Sequence, residues 1–508
     1  MQSILSCPRP GKFFQALLLV LILPLALFSQ EEDTVDVDLR VELLEEVTVL
    51  EFLEKNPLPA TSHVYALPDK LDKLSQLQLV ARGAYAQEPI YRGQAPKRTQ
   101  LLVDGMRVYQ ACTDRMDPAT SYVSENNLKQ ANLHSSISGE KQSGMAAGLD
   151  LRTRKAPLSR DPSWDWGFRQ LLHSNGQGTQ SSAQLQRSGP QWGIRMTGNW
   201  QKRAVYQDGN NREVDFSQYQ KQNWSLSGSY RINSESILQA QVIYDKATDV
   251  GYPSLPMDVG KARSVMGNLR YKSRGAVGPF QRWEAMIYHN NIFHAMDDTK
   301  RPNVPMHMDM PGWSRTSGFR ASLEEWNWKN LEISLNGEGY TNYRRAEMTM
   351  FPEGEPSMFM LTWPDARLYG AALGGKVRWR KGPWRLSGNI RGATESSSVT
   401  DRGGQRQWQA LGYDVETSRA YLVPQFGGEA AYSWRGNQSL SLAASFGQRM
   451  PGNSELYGYY LFNAGDGFDY LGNPGLQPED LTTVELTYQF DWEKASAQLT
   501  GHTQQYAD

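Results

Sequence analysis

NWSLSGSYRINSESILQAQVIYDK, residues 223–246, carries an alternation of period two on both sides of a short turn. Trp224, Leu226, Gly228, Tyr230 and Ile232 fall on one face of an extended chain, and Ser225, Ser227, Ser229 and Arg231 on the other. Beyond the turn Asn233–Ser236 the pattern resumes, with Leu238, Ala240, Val242 and Tyr244 opposite Gln239 and Gln241. The same dyad recurs at Trp384, Leu386, Gly388 and Ile390, at Leu440, Leu442, Ala444 and Phe446, and at Val484, Leu486, Tyr488, Phe490 and Trp492. After Pro157 about fifteen such segments follow without interruption, joined alternately by short turns such as Lys381–Pro383 and by long excursions such as Lys246–Arg263 and Asp297–Thr316. The pattern predicts a mainly β chain, a transmembrane antiparallel β-barrel with its apolar face to lipid and its polar face to the lumen. A soluble β-sandwich or propeller is the alternative; aromatics at strand ends, the N-terminal secretory signal and the length of the array favour the membrane.

Composition agrees. The 508 residues hold 53 basic and 54 acidic side chains, so no global positive field offers itself to nucleic acid. Only 39% are hydrophobic although aromatics reach 11%, which suits many half-polar strands better than one large soluble core. At the N-terminus Arg9 and Lys12 precede an apolar run, Ala16–Phe28, that is too short to span a bilayer, and residues 1–30 read as a secretory signal. Cys7 lies before that run, on the wrong side for a lipoprotein site, so Cys112 is the single cysteine of the exported chain and no intramolecular disulfide is available. No nucleophile elbow, H-E-x-x-H or phosphate-cradling loop occurs, and neither an enzyme nor a catalytic cofactor is expected.

Between Glu51 and Pro157 the texture changes to short mixed elements. Residues 66–85, ALPDKLDKLSQLQLVARGAY, read as a helix after Pro68 and a glycine turn. Ile90-Tyr91-Arg92-Gly93, Val103-Asp104-Gly105, Asp117-Pro118 and Leu151–Lys155 follow in that order, and the series resembles the plug domain of TonB-dependent receptors. RMPGNSELYGYY (449–460) and NPGLQPED (473–480) resemble late-barrel motifs of the same family. The resemblance implies a periplasmic tail at 31–50, an α+β plug at 51–157 inside the lumen, and a barrel from 158 onward. Plugged transporters have about 22 strands, so a chain ending at Asp508 is expected to be incomplete at its C-terminus. The tail ends in Leu44, Glu45, Glu46, Val47, Thr48 and Val49, similar to a TonB box. That implies coupling by strand addition to the TonB–ExbB–ExbD complex of the inner membrane.

Chemistry gathers on sulfur and imidazole. In LLVDGMRVYQACTDRMDPATSY, residues 101–122, Cys112 and Met116 are spaced to share a helical face or to converge across a turn. In Phe293-His294-Ala295-Met296, placed at the start of a long loop, His294 and Met296 project together if the backbone is extended. A thiolate, two thioethers and an imidazole make a soft set suited to copper(I) and poorly matched to ferric iron. With their flanks the two motifs resemble the copper-binding subgroup of the TonB-dependent receptors. Met306, His307, Met308 and Met310 form a possible secondary relay, with Met348, Met350, Met358 and Met360 close behind. The expectation is a monomeric outer-membrane transporter, surrounded by lipid, that imports copper. The alternatives are a receptor for a siderophore, cobalamin or other organic ligand, and a non-transporting structural or adhesive barrel.

Overall fold

The structure is a computed structural model that describes residues 39–44, 47–52, 71, 76–85, 87–137, 146–304, 306–434, 437–463, 466–492 and 495–507. The proposed signal segment lies outside them. Fifteen strands, from Ser163–His173 to Ser496–Ala507, form one antiparallel sheet, each strand paired to its sequence neighbours. The expected count of about fifteen holds. No helix among the described residues is long and apolar enough to cross a membrane.

The dyads take the register expected. Trp224, Leu226 and Val242 are exposed on the outer face, whereas Ser225, Ser227 and Gln241 are buried inward. Leu386, Ile390, Leu442 and Leu486 also face out. A band of large apolar side chains turned away from the interior is costly in water and favourable in lipid.

Against the inner face sits a second, six-stranded sheet whose order is Leu39–Leu44, Val47–Phe52, Leu128–Ser135, Ala147–Thr153, Thr99–Val103 and Met106–Arg107. Polar barrel side chains satisfy backbone carbonyls of the plug: Asn223 donates to the Tyr122 carbonyl at 3.1 Å, Asn290 to Arg107 at 2.8 Å and Gln425 to Ser136 at 2.9 Å. Apolar contacts join in, since Ile243, Met266, Met286 and Ile292 of the barrel share a core with Val103, Leu133 and Leu149 of the plug. This is the plug-in-barrel arrangement expected.

Three details differ from expectation. Leu71 is helical, but most of the helix proposed after Pro68 lies outside the described residues, and from Leu77 to Ala81 the chain is a strand paired with Gln87–Tyr91. The long excursions are shorter than read, because strands continue to Val250 and Asp297 and restart at Asp258 and His307. Their continuations keep pairing with neighbours although the apolar alternation has faded. Finally, Val47, Thr48 and Val49 pair with Leu44, Leu43 and Glu42 on one edge and with His134, Leu133 and Asn132 on the other, so this part of the coupling segment is an inner strand of the plug sheet, not a free extended tail. Glu45 and Glu46 lie outside the described residues.

Candidate metal site

Residues 112–116 form a turn, not a helix, and Asp117 explains why. Its buried carboxylate accepts the backbone N–H of Ala111 at 2.9 Å and of Cys112 at 3.1 Å, and the Tyr122 hydroxyl besides. Arg115 takes a left-handed backbone, φ 58°, a conformation uncommon for a side chain of this size. Its guanidinium is tied to the buried Glu88, Nε to Oε1 at 2.8 Å. Tyr252, from the connection between the strands Ser236–Val250 and Asp258–Ser273, donates its hydroxyl to the Met116 carbonyl. The turn then rests on the barrel wall at Gly312, where a Cβ would collide with the Ala111 carbonyl.

The wall supplies the other half. His294 and Met296 lie in the strand Arg282–Asp297 itself, correcting the loop assignment, and both side chains point inward and are buried. His294 is registered against Gly312 and Met296 against Met310. The glycine that admits the plug turn therefore sits opposite the histidine that meets it. Cys112 Sγ stands 3.8 Å from Met296 Sδ. Ligand atoms of Cys112, Asp117 and His294 lie within 4.8 Å of one another. Met116 is buried in the same cluster as Cys112 and Met296. Cys112, His294 and Met296 thus converge, and Met116 is buried in the same apolar cluster.

Two features mark the place as more than core. His294 Nε2 is buried without a hydrogen-bond partner among the described residues, a costly state for an imidazole nitrogen unless something fills it. Burial pushes the Cys112 thiol well up, with the Asp114 and Asp117 carboxylates adding to the effect, so the sulfur is held protonated. Asp117 was not among the residues singled out for chemistry; only the Asp117-Pro118 pair signalled it, and its oxygens are already engaged with the turn.

The methionine group divides. Met310, Met348 and Met350 are buried beside the thiol, and Met306, Met308 and Met360 pack against them. Strand register accounts for the crowding, because Met308 is paired with Met350 and Met348 with Met360. His307 falls on the other face: half exposed, it bonds Asp298 through Nδ1 at 3.0 Å and does not join the cluster. Met358 is exposed.

The family model described as TonB dependent receptor-like, beta-barrel matches residues 120–508. No curated protein matches the sequence. Among solved structures, the copper transporter OprC superposes with a TM-score of 0.77 at 19% identity, covering 91% of this chain and 71% of that one. The hemophore receptor HasR of Serratia marcescens, in complex with its hemophore HasA and heme, gives 0.66 at 13%, covering 87% and 70%. The ferric citrate transporter FecA gives 0.63 at 11%, covering 88% and 68%. At these identities the likeness is one of fold.

Proposed function

The chain belongs to the TonB-dependent receptor family of outer-membrane β-barrels, and on that premise we propose that it captures and imports copper through Cys112, Met116, His294 and Met296. The observation that carries the reading is the meeting of the Cys112 and Met296 sulfurs at 3.8 Å beside the unpartnered His294 Nε2. A dry pocket of thiol, thioether and imidazole favours a soft monovalent ion over hard ferric iron or a hydrated divalent ion. The surrounding methionines supply weaker donors for an ion on its way in, and His307 is left out of that path.

Cys112 and Met116 belong to the plug and His294 and Met296 to the barrel, so the bound ion bridges the two and pins the plug. Release then requires the plug to move. The family works with the TonB–ExbB–ExbD complex, and we infer coupling through Leu44–Val49. Because Val47–Phe52 is hydrogen-bonded to Leu128–Ser135, a pull on this segment acts on the plug sheet directly, and capture by strand addition first requires the segment to unpair. One chain contributes both halves of the site, which is why a monomer suffices.

A receptor for a siderophore, cobalamin or another organic ligand is the competing reading within the family. Copper retained by purified protein without added chelator, and lost on Cys112→Ser, supports ion transport; copper retained only with a chelator supports the alternative. Family members act as receptors and transporters, and no catalytic role is assigned.

A further inference from the structure

A second cavity, of about 180 Å³, lies between plug and barrel next to the metal turn, with Gln110 and Arg115 in its wall. Most of the charges around it are already matched. Arg115 is held by Glu88, Arg107 by Glu338, and both Lys97 and Arg449 by Glu455. Apart from the exposed Arg367, two remain. The half-buried Arg344 guanidinium meets only aromatic faces, Tyr109 at 4.9 Å and Trp363 at 5.6 Å from the ring centroids, and has no carboxylate or hydrogen-bond partner among the described residues. The half-buried Glu395 has no ion pair or hydrogen bond among them either.

The two are too far apart to satisfy each other. Arg344 is registered against Ala366, whereas Glu395 is registered against Gly370 and, through it, Tyr340. Glu395 therefore stands two strands across and four residues down from Arg344. Strand spacings put their Cα atoms about 17 Å apart, and both side chains line the cavity from the same wall. A lone anion at Arg344 leaves Glu395 unmatched, and a lone cation at Glu395 leaves Arg344 unmatched. Partly desolvated charges are costly when uncompensated, and a molecule carrying both signs a few bonds apart compensates them together.

We propose that this cavity binds a small zwitterion, a short peptide or free amino acid, with its carboxylate on Arg344 and its ammonium group on Glu395. Tyr109 flanks the guanidinium and fixes its direction. The inference rests on the charge ledger of the cavity and not on the copper reading. Occupancy places the ligand against Arg115, hence against the turn that carries Cys112.

The test is calorimetric titration of the purified protein in detergent with L-alanyl-L-alanine, N-acetyl-L-alanyl-L-alanine, and acetate and ethylamine as separate halves. The dipeptide is expected to bind about tenfold or more tighter than its acetylated form or either half, as charge-assisted hydrogen bonds at both ends require. Glu395→Gln should abolish the preference for the free amine while leaving the acetylated peptide unchanged, and Arg344→Met should weaken both peptides. Absence of dipeptide binding by wild-type protein with a normal melting curve overturns the proposal, as does equal binding of the two peptides. If Arg344→Met does not fold, the Glu395→Gln comparison decides alone: a lost amine preference supports the site, and an intact one overturns it. Copper retention is measured on the same samples and stands or falls separately.

Discussion

Two contacts of the plug–barrel interface are built from opposite chemistry. Toward the periplasmic turns, Glu338 of the barrel gathers three guanidinium groups: Arg107 of the plug, and Arg320 and Arg391 of its own wall, at 2.5, 2.7 and 2.6 Å. Close by, Asp104 of the plug binds Lys155 at 2.8 Å. Toward the long loops another contact is thiol, thioether and imidazole, and one imidazole nitrogen has no partner among the described residues. The charged end satisfies itself and therefore fixes the plug at rest. The sulfur end is incomplete, so a ligand there changes the strength of the contact.

Breaking the charged end should give the largest effect. Glu338→Ala leaves two buried cations and a partly buried one facing one another, an expected loss of about 3 to 5 kcal/mol, seen as a lower denaturation midpoint in micelles; an unchanged midpoint removes the lock. The outer face offers the contrast to both interior ends. Val242→Arg, on the exposed face opposite the buried Gln241, should cost about 2 to 4 kcal/mol of folding in bilayers near the midplane, and undiminished bilayer folding breaks the register. At the sulfur end Gly312→Ala pushes on the Ala111 carbonyl, at an expected cost of about 1 to 3 kcal/mol. Its signature is weaker copper retention with the charged end intact, so normal copper affinity separates the glycine from the site.

Acid should give the smallest effect. Burial raises the Glu455 carboxyl, but Arg449 and then Lys97 of the plug outweigh it and hold the group down at about 2. A depressed carboxyl contributes stability above its unfolded value and loses it as pH falls toward the folded one. Between about pH 4.3 and 2, Glu455→Gln should therefore flatten the decline in melting temperature, by no more than about 0.2 to 1 kcal/mol since Lys97 is 44% exposed. A variant that declines as steeply as wild type discounts this tie.

What the sequence revealed follows from the range of the signal. Period two is local, so the lipid face of Leu226 and Val242 could be read directly, as could the shared face of His294 and Met296. Cys112 and Met116 were legible because both donors occupy one turn. Arg107 with Glu338 was not, because 231 residues separate partners that meet only after the barrel curves round the plug. His307 was misjudged for a related reason: a methionine-rich string names donors but not the face each takes, and the strand beginning at His307 turns it outward while Met308 and Met310 turn in. Leu44–Val49 looked like a free tail because alternation over so few residues does not show that a neighbouring strand occupies each edge.

The central claim is that plug and barrel each give two ligands to one copper ion. Its most direct test is metal content and melting temperature, with and without copper, of purified wild type and of Cys112→Ser, Met116→Ile, His294→Ala and Met296→Ile. The account predicts one copper per wild-type chain and a melting temperature raised by its binding. Loss should be deepest for Cys112→Ser, because a thiolate is a softer and more basic donor than a thioether. A Cys112→Ser protein that holds one copper per chain with wild-type affinity would contradict it.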